Sequence, residues 1–207
     1  PPLPPPPPAT TEWRPADEAW EGDGAKVLEK LPTGGVRLVQ QEANPKASLT
    51  AIWKLPPARM APQDVIVRID DFSPGTGVCL TGPDGKPAIV CGFVAPTPGG
   101  PADRQGSLFM AWTPDKSPLT GGDPKNLGVG FVPRPIWLRF RVVNYCEEGL
   151  VVSWSGDGRT WARWRPLVTW PPGITEISGG GLFAGAHAGR SITLGELAVA
   201  ELPGFAR

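Results

Sequence analysis

Two stretches of this chain alternate apolar and polar positions with a period of two residues, the spacing of a β-strand with one buried and one wet face. In "IWLRFRVV", Ile136, Leu138, Phe140 and Val142 fall on one face and Trp137, Arg139 and Arg141 on the other. In "DVIVRID", Val65, Val67 and Ile69 oppose Ile66 and Arg68. Further short β-rich runs, divided by Pro and Gly, are "GGVRLVQQ", "SLTAIWKL", "TGVCLTG", "PAIVCGFV", "SLFMAW", "LVVSWS", "TWARW", "GGLFAGA" and "SITLGELAVAEL". No segment keeps helical periodicity over three turns, and strands do not alternate with helices. The pattern predicts an all-β fold, an antiparallel two-sheet β-sandwich, with a barrel as the other way to close so many strands.

Composition adds turns and a tether to this picture. Pro (28) and Gly (27) make up more than a quarter of the 207 residues, while nine Trp and seven Phe supply the apolar bulk of a folded core. The opening "PPLPPPPP" lacks an initiator Met, as expected of a segment of a longer protein, and Pro fixes φ and removes the N–H that helix or sheet would use. Residues 1–11 are therefore expected to be a proline-rich linker and residues 12–207 a single sandwich domain. An SH3-like or WW-like groove could also take the proline run; the tether is the preferred reading. The segment "TEWRPADEAWEGDG" reads as a leading piece packed on the domain edge. The long segments 95–106 and 113–126 read as loops, and as the rim of any ligand site. Long uncharged runs such as "PAIVCGFVAPTPGGPA" are broken by Pro and Gly, so no membrane contact is expected of this segment.

Charge excludes one class of partner. Twenty basic and twenty acidic residues cancel, with no block of like sign, so the long-range attraction to a phosphate backbone is missing and nucleic acid is not expected. Cysteine leaves two readings open. Cys79 and Cys91 flank "LTGPDGKPAIV", and a hairpin with a three-residue loop, Asp84 to Lys86, would set them directly opposite each other in disulfide range. Alternatively, both are small apolar side chains buried in adjacent strands. With three cysteines, no CxxC and one His, no metal or other cofactor is expected.

Catalysis lacks its usual parts. Glycoside hydrolysis needs two carboxylates facing one cleft, whereas Asp70-Asp71 and Glu147-Glu148 are adjacent and would point to opposite faces of a strand or sit in a turn. The sole His187 lies in "GAHAG", without a nucleophile or orienting group that the sequence identifies. Cys146, beside Glu147 and Glu148, would be held as the thiol rather than activated.

The most pattern-like stretch is "SWSGDGRTW", Ser153 to Trp161, where Asp157-Gly158 between strand-like flanks signals a hairpin. "SGDGRTW" resembles the Asp-box of sialidases and other β-propellers, a hairpin in which Ser155, Asp157, Gly158 and Trp161 would be structural. It occurs once, and the chain is too short for six blades, so a sialidase is not implied. A longer likeness covers the C-terminal third, which resembles the end of concanavalin A-like (LamG-like) jelly-roll modules of the DUF1349-related kind. Trp137-Leu138-Arg139 match a first strand, Ser155, Asp157, Gly158 and Trp161 a hairpin, and Gly181-Leu182-Phe183-Ala184 a Gly-led strand. The last strand reads "ITLGELAVAEL" where relatives often carry an acidic pair. The resemblance implies a jelly-roll sandwich with a concave face that in some members binds glycan or protein.

The sequence thus points to a non-catalytic accessory or binding module of a larger protein, its partner a glycan or another protein domain. A carbohydrate-binding module would use Trp137, Arg139, Arg141 and Trp164 as its platform, unless Trp137 packs in the core or Arg stems cover it. A divergent glycoside hydrolase is the third reading.

Overall fold

The computed structural model describes residues 26–42, 48–54, 63–83, 87–94, 108–112, 132–142, 150–163, 177–184 and 188–201. The proline-rich opening, the leading segment, the two long loops, Cys146, Glu147, Glu148, Trp164 and His187 lie outside the described residues. Among the described residues there are twelve strands and no helix. They are β1 (Lys26–Lys30), β2 (Val36–Gln40), β3 (Ser48–Lys54), β4 (Gln63–Phe72), β5 (Thr76–Thr81) and β6 (Pro87–Val94). There follow β7 (Leu108–Trp112), β8 (Ile136–Val142), β9 (Leu150–Ser155), β10 (Ala162–Arg163), β11 (Gly179–Ala184) and β12 (Ser191–Glu201).

Two antiparallel sheets result, one of seven strands in the order β1-β2-β12-β4-β8-β9-β10 and one of five in the order β3-β11-β5-β6-β7. The chain is an antiparallel two-sheet β-sandwich, as the alternation predicts. The last strand, β12, lies between β2 and β4, so the hairpin of β1 and β2 joins the larger sheet through it. Strand β1 has no counterpart among the runs read from sequence, because "KVLEK" is short and mostly polar. It forms by pairing with β2 across a turn in which Gly34 N–H donates to Leu31 C=O at 2.9 Å.

The core lies between the sheets, where the inward residues of each strand meet. Val65, Val67 and Ile69 on β4 and Ile136, Leu138 and Phe140 on β8 are fully buried and contribute one wall. Val78 and Leu80 on β5, Ile89, Cys91 and Phe93 on β6 and Leu182 on β11 contribute the other. At one corner the chain passes from β4 into β5, and Phe72 of the larger sheet stacks on Phe93 of the smaller, centroids 3.7 Å apart and planes 12° from parallel. Such aromatic pairing adds to simple area burial.

The five-stranded sheet is buried on its outer face as well, where Cys79, Val90 and Phe183 have no exposure. Gly77 and Gly92 are paired there, and a Cβ on Gly77 would run into the Phe183 ring and the Cys91 backbone. The half-exposed charged and aromatic side chains described below lie instead on the outer face of the seven-stranded sheet.

The cysteine geometry differs from the hairpin expectation. Strands β5 and β6 do pair, but Cys79 faces Val90 and Cys91 faces Val78, one residue away from the register that would oppose the two thiols. A one-residue offset turns the side chains to opposite faces of a sheet. Cys91 therefore joins the core between the sheets, Cys79 does not, and both are buried free thiols rather than a disulfide. Burial raises the pKa of each, and the thiolate is the reactive form. Both should resist a thiol reagent such as dithionitrobenzoate in the native protein and react at once in denaturant; native-state labelling at the unfolded rate would contradict this burial. Truncating the fully buried Phe140 to Ala should cost about 3–5 kcal/mol by urea unfolding, the range for removing a buried aromatic.

Candidate functional site

Strand β8 positions the residues read as a binding platform. Its pairing with β4 and β9 gives three rows across the outer face: Arg68, Trp137 and Ser155; Ile66, Arg139 and Ser153; and Asp64, Arg141 and Val151. Inward residues pair with inward ones in the same register, Val67 with Leu138 and Leu138 with Trp154. Trp154 accordingly packs against the core. Trp137, Arg139 and Arg141 share the outer face, as alternation predicts, and each is half-buried.

The three arginines that β4 and β8 place on this face are held differently. Arg141 makes a two-pronged ion pair with Asp64, its Nε and Nη2 each 2.9 Å from a carboxylate oxygen. Asp64 is only 5 % exposed, so this charge-assisted fork supplies the bonds that water would otherwise make. The hydrogen bond to Asp64 raises the Arg141 pKa. Arg68 donates to Asp70 Oδ1 at 2.6 Å and to Glu196 Oε2 at 3.0 Å, and the bond to Asp70 raises its pKa likewise. A Cβ on Gly195, within the β12 bulge, would collide with the Asp70 carboxylate, so a residue without a side chain leaves room for this cluster. Arg139 has no carboxylate partner among the described residues. Its guanidinium lies over the Trp161 ring at 4.5 Å, and burial lowers its pKa, opposed by the attraction of the nearby Asp64 carboxylate and aided by the repulsion of Arg141.

The hairpin turn between β9 and β10 completes the face. Asp157 Oδ1 accepts the backbone N–H groups of Arg159 and Thr160, at 2.8 and 2.7 Å, and the Ser155 hydroxyl at 2.8 Å. Thr160 Oγ1 donates to Oδ2 at 3.1 Å. Ser155 Oγ in turn accepts the N–H of Gly158 at 2.9 Å. Gly158 has φ +70°, and its α-carbon sits against the Trp137 indole, where a Cβ would approach ring atoms to 3.1 Å. Asp157 is thus a turn residue by geometry. The turn is wider than a two-residue Asp-Gly hairpin because side-chain acceptors gather its N–H groups, and pairing resumes only at Ala162 opposite Trp154.

Between the turn and the sheet edge lies a shallow open depression of about 370 Å³, lined by Trp154, Gly156, Asp157, Thr160, Trp161 and Ala162. No three His, Cys, Asp or Glu gather into a metal-binding group among the described residues. The sequence reading overlooked Asp64, which neutralises Arg141, and assigned Trp161 only to the turn. Opposite charges at matching positions of two alternating runs hint at the first; only the tertiary pairing shows which pair meets.

No family model matches the chain, and no curated protein matches it by sequence. Solved structures do. The legume lectin-like domain from Entamoeba histolytica superposes with a TM-score of 0.52 at 12 % identity, covering 87 % of this chain and 88 % of that one. The exoplasmic/lumenal domain of VIP36, in its Ca2+/Man3GlcNAc-bound form, gives 0.51 at 12 %, covering 89 % and 85 %. An engineered GH43 glycoside hydrolase gives 0.52 at 13 % over 86 % of this chain, which spans 36 % of the hydrolase chain. The fold is a concanavalin A-like, lectin-type β-sandwich.

The turn makes a pH-dependent contribution of known sign. Hydrogen bonds from Thr160 and Arg159 hold the exposed Asp157 carboxyl well below the usual carboxylate range. A group whose folded pKa is depressed stabilises the fold above its unfolded pKa, about 3.9, and loses that contribution as pH falls towards the folded value. Asp157→Ala should therefore melt below the wild type at neutral pH, and the gap should narrow below about pH 4. A gap independent of pH in thermal melts would show that the carboxylate charge contributes nothing.

Proposed function

We propose that this chain is a non-catalytic carbohydrate-binding module that receives glycan on the outer face of its seven-stranded sheet. The observation that carries the reading is the platform itself: Arg139 stacked on Trp161 at 4.5 Å, with half-buried Trp137 on one side and the Asp64–Arg141 pair on the other. Sugar rings lie on aromatic faces through their C–H groups, while hydroxyls need donors and acceptors held in place. A fixed fork and a clamped indole meet both needs with little ordering cost on binding. The lectin-type fold supports the reading, as does VIP36, whose structure holds an oligosaccharide.

The carboxylates described on this face favour binding over hydrolysis. Asp64 is engaged by Arg141, Asp70 and Glu196 by Arg68, and Asp157 by its own turn. Each is taken up by an arginine or by its own turn, whereas a glycosidase needs two carboxyls facing the sugar across one cleft. The Ser155–Asp157 turn acts in the manner of an Asp-box, as scaffold, in a module of the DUF1349-related kind that the proline-rich opening tethers to a larger protein.

Intrinsic Trp fluorescence should change saturably when the chain is titrated with oligosaccharides from a broad panel. Trp161→Ala should weaken the best ligand about tenfold, the equivalent of losing about 1.4 kcal/mol of stacking and order. No reducing ends should be released. Silence across the panel would overturn the binding reading, and product release would overturn the non-catalytic one.

A further inference from the structure

The same face discriminates among glycans by charge. Of the three arginines that β4 and β8 place on it, Arg141 is neutralised by both oxygens of Asp64, and Arg68 is shared between Asp70 and Glu196. Arg139 alone has no carboxylate partner among the described residues. Its guanidinium is capped on one flat side by Trp161, which leaves the in-plane N–H edge as its bonding surface, and none of those N–H groups meets a protein acceptor among the described residues. None of those nitrogens is a buried atom left without a partner, so water meets them in the free protein and a ligand's acceptors can take its place. We infer that Arg139 is the anion-reading residue of this site, and that the glycan it takes carries uronate carboxylates. Stacking clamps the guanidinium plane, and a planar fork matches a planar carboxylate through two parallel hydrogen bonds.

The surrounding charges also orient the ligand. Arg68 stands against two carboxylates, a locally negative cluster. Arg139 adds a positive charge beside the balanced Arg141–Asp64 pair. An acidic group is therefore favoured beside Arg139 and disfavoured beside Glu196.

This inference rests on the glycan-binding reading, and the experiment separates the two. The full chain would be titrated by calorimetry with uronic acid oligomers of several linkages, each paired with its neutral methyl ester, and with neutral and sulfated oligosaccharides. At least one uronate oligomer should bind about tenfold more tightly than its ester, the scale of one charge-assisted hydrogen-bonded pair. Arg139→Gln should abolish that preference, so that acid and ester bind alike, and Arg139→Lys, which keeps the charge without the fork, should restore only part of it. Circular dichroism melts establish that each variant is folded before it is titrated. Equal binding of acid and ester, or a preference that survives in a folded Arg139→Gln, would overturn the role of Arg139 and leave the glycan reading standing. Tighter binding of sulfated than of uronate oligomers would overturn the carboxylate assignment. Binding to no saccharide would overturn both.

Discussion

The in-register pairing of β4 with β8 is the constraint from which the rest of this structure follows. Val65 meets Phe140, Val67 meets Leu138 and Ile69 meets Ile136, so every core position of one strand faces a core position of the other. The same register sets Asp64 against Arg141 and Arg68 against Trp137 on the outer face. A slip of one residue would exchange the faces, putting Arg139 and Arg141 between the sheets and three buried side chains into water. Burying a guanidinium without a partner costs far more than any alternative turn could return. The core therefore selects the register, and the register in turn assembles the charged and aromatic face.

The hairpin turn is coupled to that face through direct contact. Asp157 and Ser155 gather the turn's N–H groups, which holds Gly158 against the Trp137 indole and sets Trp161 under the Arg139 guanidinium. A turn residue thereby sets the shape of the neighbouring surface. Asp157 shapes the turn, while the tryptophans and arginines beside it present their faces outward.

Legibility in the sequence was uneven for physical reasons. The faces of β4 and β8 were readable because period-two alternation is a local property of each strand. The structural role of Asp157 was readable because a carboxylate two residues from the N–H groups it accepts needs no distant partner. The sequence left the cysteine pair open between a disulfide and buried thiols in adjacent strands, because opposition across a hairpin depends on register, and the second reading holds. The offset of one residue, with a bulge after Leu80, arises from how β5 packs between β6 and β11. Strand β1 was missed because its five residues have little strand character apart from their partner.

By itself, then, the sequence determined that this protein is built from strands, which faces of its clearest strands are apolar, and that Asp157-Gly158 turns the chain, since each is set by residues within a few positions of one another. The tertiary structure alone decided that Asp64 neutralises Arg141, that Arg139 lies over Trp161, and that Cys79 and Cys91 point to opposite faces. Those outcomes depend on which strands become neighbours and in what register. That choice is made by the whole core at once, because burying both sheets' inner faces together is worth more than any local preference.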